Sequence, residues 1–230
     1  ELSISTWTAR KLDKSVTDEV NVSKKASSQA SRVNKHLLPE VKQLKDIIKY
    51  AESTRNWMYK NTLPWSDFGA RLIPTANFFE FKQELDSRTA EFYRMVDDFV
   101  DEYPSLISAQ AFKLGDMFNR DEYPDGEEIR SKFRLRASFM PVPDSGDFRV
   151  DVGNEAMAQL KEEYEADFKE RMDAATADIA KRLLSGLARV ADRMSDNPDG
   201  TRKTFRASLF DTLADTIASV RTLNVTKNEA

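Results

Sequence analysis

The 230-residue chain has no cysteine and a single histidine, His36. Without a thiol there is no disulfide, no thiolate nucleophile and no cysteine metal site. One histidine cannot build a His-rich zinc site within the chain. A Ser-His-Asp hydrolase would need His36 as its base, yet no G-x-S-x-G turn offers the nucleophile. Neither G-x-x-x-x-G-K-[ST] nor G-x-G-x-x-G occurs, so no recognisable phosphate cradle is encoded. Only seven glycines are present. That disfavours a fold of many tight β turns and favours long helices. No apolar run approaches the roughly 20 residues that span a bilayer, so no membrane partner is expected. The opening "ELSISTWTARKLDK" has no apolar signal core, and the expected location is cytoplasmic.

What is present is a soluble balance of 40% hydrophobic and 32% charged residues. The formal net charge of −4 is unevenly placed: residues 1–60 carry 12 Lys/Arg against 7 Asp/Glu, a net of +5, which leaves −9 for the remainder. Such polarity suits electrostatic docking and self-association, and a homo-oligomer is expected.

Periodicity predicts a mainly α (α+β) protein: one elongated domain over 1–230, a bundle of long antiparallel helices, with one β-hairpin inserted at about 132–152. From Thr8 to Asn61 the pattern is helical, with Ala26, Ala30, Val33, Leu37, Val41, Leu44, Ile48 and Ala51 on one face and a kink expected near Leu38, before Pro39. Thr75 is placed to cap a helix that ends near Asp101, and Pro104 to open the next. "DEYP" occurs at Asp101–Pro104 and Asp121–Pro124; the flanks differ, which favours reuse of helix-terminating residues over duplication.

In "KFRLRASF", Phe133, Leu135, Ala137 and Phe139 alternate with Lys132, Arg134, Arg136 and Ser138, a strand with one apolar and one basic face. "PVPDSGD" supplies a turn and "FRVDV" a partner strand, with "LSIS" available as a third. Asn154–Ser195 has an apolar stripe and no proline, and a helix of that length asks for a partner along it. After "SDNPDGT", with Thr201 as cap, a last helix runs to about Leu223.

Three features carry candidate chemistry. The acidic run Asp97, Asp98, Asp101 and Glu102 reads as a solvated helix end rather than a cation site. "DEYPDGEEIRSK" has the glycine of a calcium loop, but Tyr123 and Lys132 stand where acidic ligands belong. No catalytic residue, metal or cofactor is expected. The basic ribbon Arg130, Lys132, Arg134 and Arg136 can meet phosphates, but the whole chain is acidic and no stacking aromatic shares that face. In "YKNTLPWSDFGARLIPTANFFEF", aromatics crowd an inter-helix corner. A structural plug explains them most simply; a recognition loop presenting Trp65, Phe68 and Arg71 is the alternative.

"LSISTWTARKLDKSVTDEV" followed by "NTLPWSDFGARLIP" resembles an uncharacterised phage-encoded helical family often found beside a MoxR-type AAA+ ATPase. The resemblance covers mainly residues 2–75. It implies a phage setting, host-cell cytoplasm, and an AAA+ ATPase as a partner, and it supplies no catalytic residue. The resulting expectation is a non-enzymatic phage-type interaction or assembly protein, acting by self-association or docking on a partner. The alternative is a DNA-binding accessory protein of phage replication or host takeover.

Overall fold

The computed structural model describes residues 1–66, 69–142, 154–195 and 208–224. Among them the fold is mainly α with short strand pairs: β1 (Leu2–Ser5), β2 (Arg10–Leu12), α1 (Lys14–Ser23), β3 (Asn34–His36), α2 (Lys42–Lys60), β4 (Leu63–Pro64), β5 (Arg71–Leu72), α3 (Phe78–Leu114), α4 (Gly126–Ser131), β6 (Arg134–Ala137), α5 (Asn154–Met194) and α6 (Ser208–Thr222). None of the described helices is long and apolar enough to cross a membrane. The chain divides into two compact units, one of residues 3–54 and 86–136, the other of 1–2, 55–85 and 137–230. The helices α2 and α3 each supply residues to both.

The first unit corrects the expected helix from Thr8 to Asn61. That stretch holds two strands and two helices instead. Asp13 caps α1, accepting from Val16 N, and Ser15 Oγ donates to the same carboxylate. The helix stops at Ser23 because side chains compete for the backbone that follows. Buried Asn21 donates to Ser28 O at 3.3 Å and accepts from Ser31 Oγ at 2.6 Å. The loop they hold returns the chain as β3, antiparallel to β2 with Arg10 opposite His36 and Leu12 opposite Asn34. Pro39 does not kink a helix; it lies before one, in the turn between β3 and α2.

Pro104 does not begin a helix either, since it sits inside α3. It removes one ladder donor. Phe99, Tyr103 and Ile107 on either side are buried, and that burial holds the helix through the gap. The two "DEYP" segments therefore differ: one is helical, while the other spans a 3-10 turn and its exit. Thr75 is no cap: a 3-10 turn, Thr75–Asn77, precedes α3 and its N-cap residue is Pro74, with no side-chain bond.

β6 keeps the expected alternation where Phe133 and Leu135 are buried, and it pairs with β1, the "LSIS" segment. Phe133 meets Phe99 edge-on at 5.8 Å between ring centroids. The expected partner strand Phe148–Val152 and the cap Thr201 lie outside the described residues.

In the second unit β4 and β5 form a small antiparallel hairpin, Leu63 opposite Leu72. Leu63, Ala175 and Leu223 form its buried centre, with Leu72 and Ile179 packed against them. The long helix α5 pairs with α6 in antiparallel fashion: Ala175 shares that centre with Leu223, while further along Gly186 lies against Leu213 and Thr216. A Cβ at Gly186 would stand 3.1 Å from Leu213 Cδ1, so glycine is what allows this approach.

Candidate functional site

The second unit contains a cleft of about 1410 Å³. Its floor and walls come from segments far apart in sequence. The aromatic corner supplies Trp65 and Arg71; the first turns of α3 supply Phe78 and Phe81. The extended segment after β6 supplies Phe139, α5 supplies Arg171, and the end of α6 supplies Arg221.

The aromatic wall is ordered by edge-to-face contacts, the favoured arrangement of ring quadrupoles. Phe139 meets Phe78 at 5.3 Å and Phe81 at 6.4 Å between centroids. Behind Phe81, Trp57 stacks at 4.6 Å. Trp65 packs on Phe168 at 5.5 Å, and the Arg171 guanidinium stands 5.9 Å from the Trp65 ring.

Electrostatically the cleft is one-sided. Its described lining carries three cations, Arg71, Arg171 and Arg221, against one carboxylate, Glu1. Arg171 is bridged to Asp167 at 2.6 Å on the exposed side of α5. Arg221 has no ion pair among the described residues. Arg71 donates from Nε to Thr62 Oγ1 and from Nη2 to the carbonyls of Thr62 and Tyr59. Burial first, and the like charge of Arg182 second, push its pKa below the usual arginine value; the charge of Asp178 acts the other way. It remains a cation.

The structure thus brings Trp65 and Arg71 together at the cleft, while Phe68 lies outside the described residues. The hairpin that carries them packs into the buried centre of its unit, as a structural corner does, and also walls the cleft. In the sequence Phe139 reads only as part of a strand's apolar face, and Arg171 and Arg221 are not singled out. Nothing local marks them as site residues, because each reaches the cleft only through the packing of segments tens of residues apart.

The basic ribbon is partly neutralised. Arg130 pairs with Asp97 at 2.6 Å and Lys132 with Glu128 at 2.8 Å. Arg134 and Arg136 are exposed on β6 and have no ion pair among the described residues. In the acidic run, Asp97 thus meets Arg130, and Asp98 meets Arg94 at 2.6 Å. No protein-family model, curated protein or solved structure matches the chain.

Proposed function

We propose that this chain is a non-enzymatic interaction protein that works by helix-to-helix docking, first of all with a second copy of itself. One observation carries the reading. On α5, Ala177, Ala180, Leu184, Leu187, Ala191 and Met194 are all exposed. They repeat at alternating spacings of three and four, the spacing of a coiled-coil seam. They occupy a different face from Ala175 and Gly186, which meet the hairpin centre and α6.

Leu184, Leu187 and Met194 are 66%, 53% and 69% exposed. Apolar side chains so repeated and so wet mark an association surface. The order of sizes supports self-pairing about a two-fold axis. An antiparallel copy centred between Ser185 and Gly186 sets Ala177 opposite Met194 and Leu184 opposite Leu187, small against large and leucine against leucine. The resemblance of residues 2–75 to a phage-encoded family adds an AAA+ ATPase as a further candidate partner.

Light scattering coupled to size exclusion tests this. The wild type is expected above the 26.3 kDa of one chain, with mass rising with concentration. Changing Leu184 and Leu187 to Glu is expected to return the single-chain mass. A wild type that stays at one chain over the whole range removes self-association.

A second reading rests on Arg134 and Arg136, exposed side by side on one face of β6 without carboxylate partners among the described residues. Two such cations can contact phosphate. Binding to duplex or single-stranded DNA that falls steeply with salt and is lost on changing both to Glu would support it. No binding at low salt would remove it.

A further inference from the structure

The cleft of the second unit is chemically asymmetric in a way that helix docking does not use. One wall is apolar: Trp65, Phe78, Phe81, Phe139, Met140 and Met172. Phe139 is 39% exposed and Met140 74%, so this end of the wall is exposed among the described residues, while Phe81 is buried. Burying the exposed end under an apolar ligand removes that surface from water and is favourable. The two methionines can re-pack around a chain of irregular outline.

The polar edge is cationic. Among the described residues, Arg71, Arg171 and Arg221 line it with one carboxylate, Glu1, and of the three only Arg171 has a carboxylate partner, Asp167. Arg71 is the decisive one. Its donors go to carbonyls and a hydroxyl rather than to an acid. A second cation, Arg182, acts on it from nearby, and Asp178, the carboxylate that offsets the two, is itself held by Arg182 at 2.7 Å. Partly buried positive charge is left over at the cleft, and a ligand anion offsets it.

We propose that this cleft binds an acyl-chain carboxylate of the fatty-acid type, its carboxylate between Arg71 and Arg171 and its chain along the phenylalanine wall. The cleft, at about 1410 Å³, has room for such a chain. Along the phenylalanine and methionine side chains an acyl chain needs no hydrogen-bond partner, whereas the N–H and C=O groups of a peptide would have to reach the Thr, Ser and Asn side chains that line the cleft elsewhere.

The test uses the full chain and three probes: dodecanoate below its micellar concentration, dodecanol as the uncharged chain, and acetate as the charge without a chain. Isothermal calorimetry is expected to give saturable dodecanoate binding near one per chain. Dodecanol and acetate should each bind at least tenfold more weakly. Arg171→Gln and, separately, Arg221→Gln should weaken dodecanoate severalfold at unchanged melting temperature, since neither side chain holds the core. Phe139→Ser should weaken dodecanoate and dodecanol alike.

Equal affinity for dodecanol and dodecanoate would overturn the proposal, because the arginines would then be idle. So would dodecanoate binding that survives Phe139→Ser and both arginine variants, which would place the ligand elsewhere. Preference for an apolar peptide ending in a free carboxylate over dodecanoate would overturn the choice of ligand. None of these outcomes bears on the α5 seam, whose test is mass in solution.

Discussion

Arg71 and Arg182 grip the same two carbonyls. Arg182 Nη2 donates to Thr62 O at 2.8 Å and to Tyr59 O at 3.0 Å, and Arg71 Nη2 donates to the same oxygens at 2.9 Å and 3.4 Å. Arg182 Nη1 adds Lys60 O at 2.8 Å. Tyr59 O and Lys60 O are the last carbonyls of α2, without a partner inside the helix and at the negative end of its dipole, and Thr62 O lies just beyond it. Two guanidiniums supply both the donors and the charge. The arrangement ties the end of α2 to α5 and to the β4–β5 hairpin.

Replacing Arg182 with Met should therefore destabilise the protein by about 2–3 kcal/mol, since several charge-assisted bonds are lost and the carbonyls stay partly buried. Asp178→Asn should cost less, about 1 kcal/mol, by leaving two cations with less opposing charge. Thermal unfolding followed by circular dichroism checks both. A change under a few tenths of a kcal/mol for Arg182→Met would show that water replaces the guanidinium without loss.

Gly186 offers a graded steric test. Alanine there gains up to about 1 kcal/mol of helix propensity but brings a Cβ to 3.1 Å from Leu213 Cδ1, and the two effects should nearly cancel. Valine adds two more methyl groups at the same crossing and should cost about 1–3 kcal/mol. Equal melting temperatures for glycine and valine would mean that α5 and α6 do not approach this closely in solution.

The seam on α5 predicts a dissociation of mass from stability. Leu184 and Leu187 are more than half exposed within one chain, so Leu184→Glu with Leu187→Glu should change the fold of a single chain by less than about 0.5 kcal/mol. Its effect should appear in solution mass instead. Denaturant midpoints measured at low concentration, where copies are apart, should match the wild type.

In the first unit, Lys35 is a buried cation, with Nζ 2.7 Å from Glu122 and 3.4 Å from Asp13 and donating to Met117 O at 2.9 Å. Burial by itself pulls its pKa down, but the hydrogen bond and charge of Glu122 and the charge of Asp13 outweigh it, and the pKa ends above the usual value. A group raised in the folded state stabilises fully below its unfolded pKa of about 10.4 and stops doing so as pH rises through the folded value. Lys35→Met should therefore be less stable than wild type at neutral pH, with the gap closing above about pH 10.4. Tyr123, pushed up to about 12 chiefly by burial, titrates in both proteins and drops out of the difference. Melting temperatures of the pair across pH 6 to about 12 decide it, and a constant gap would refute the ion cluster. Asp13 works at the other end: the Val16 N–H bond, then the Ser15 hydroxyl, hold its carboxyl below the usual range. Its contribution is present above about pH 3.9 and lost as pH falls through the lowered value.

The sequence by itself determined the elements whose signal is local and repeated. The apolar stripe of α5 is a helical period, and the helix forms over 41 residues; the alternation of Phe133 and Leu135 with cations is a period of two, and both are buried. The same reading failed between Thr8 and Asn61, where Asn21, Ser28 and Ser31 gave the backbone partners other than the helix, and at Pro104, where buried Phe99 and Tyr103 outweighed a missing donor. Only the tertiary structure decided the cleft and the clamp on α2. Arg71 and Arg182 lie more than a hundred residues apart, and so do Phe78 and Arg221; the first pair shares its carbonyls, and the second its cleft, only after the hairpin, α5 and α6 have packed. A charge or a ring carries no local mark of the partner it will meet. That depends on long-range packing, which one strand or helix period cannot encode.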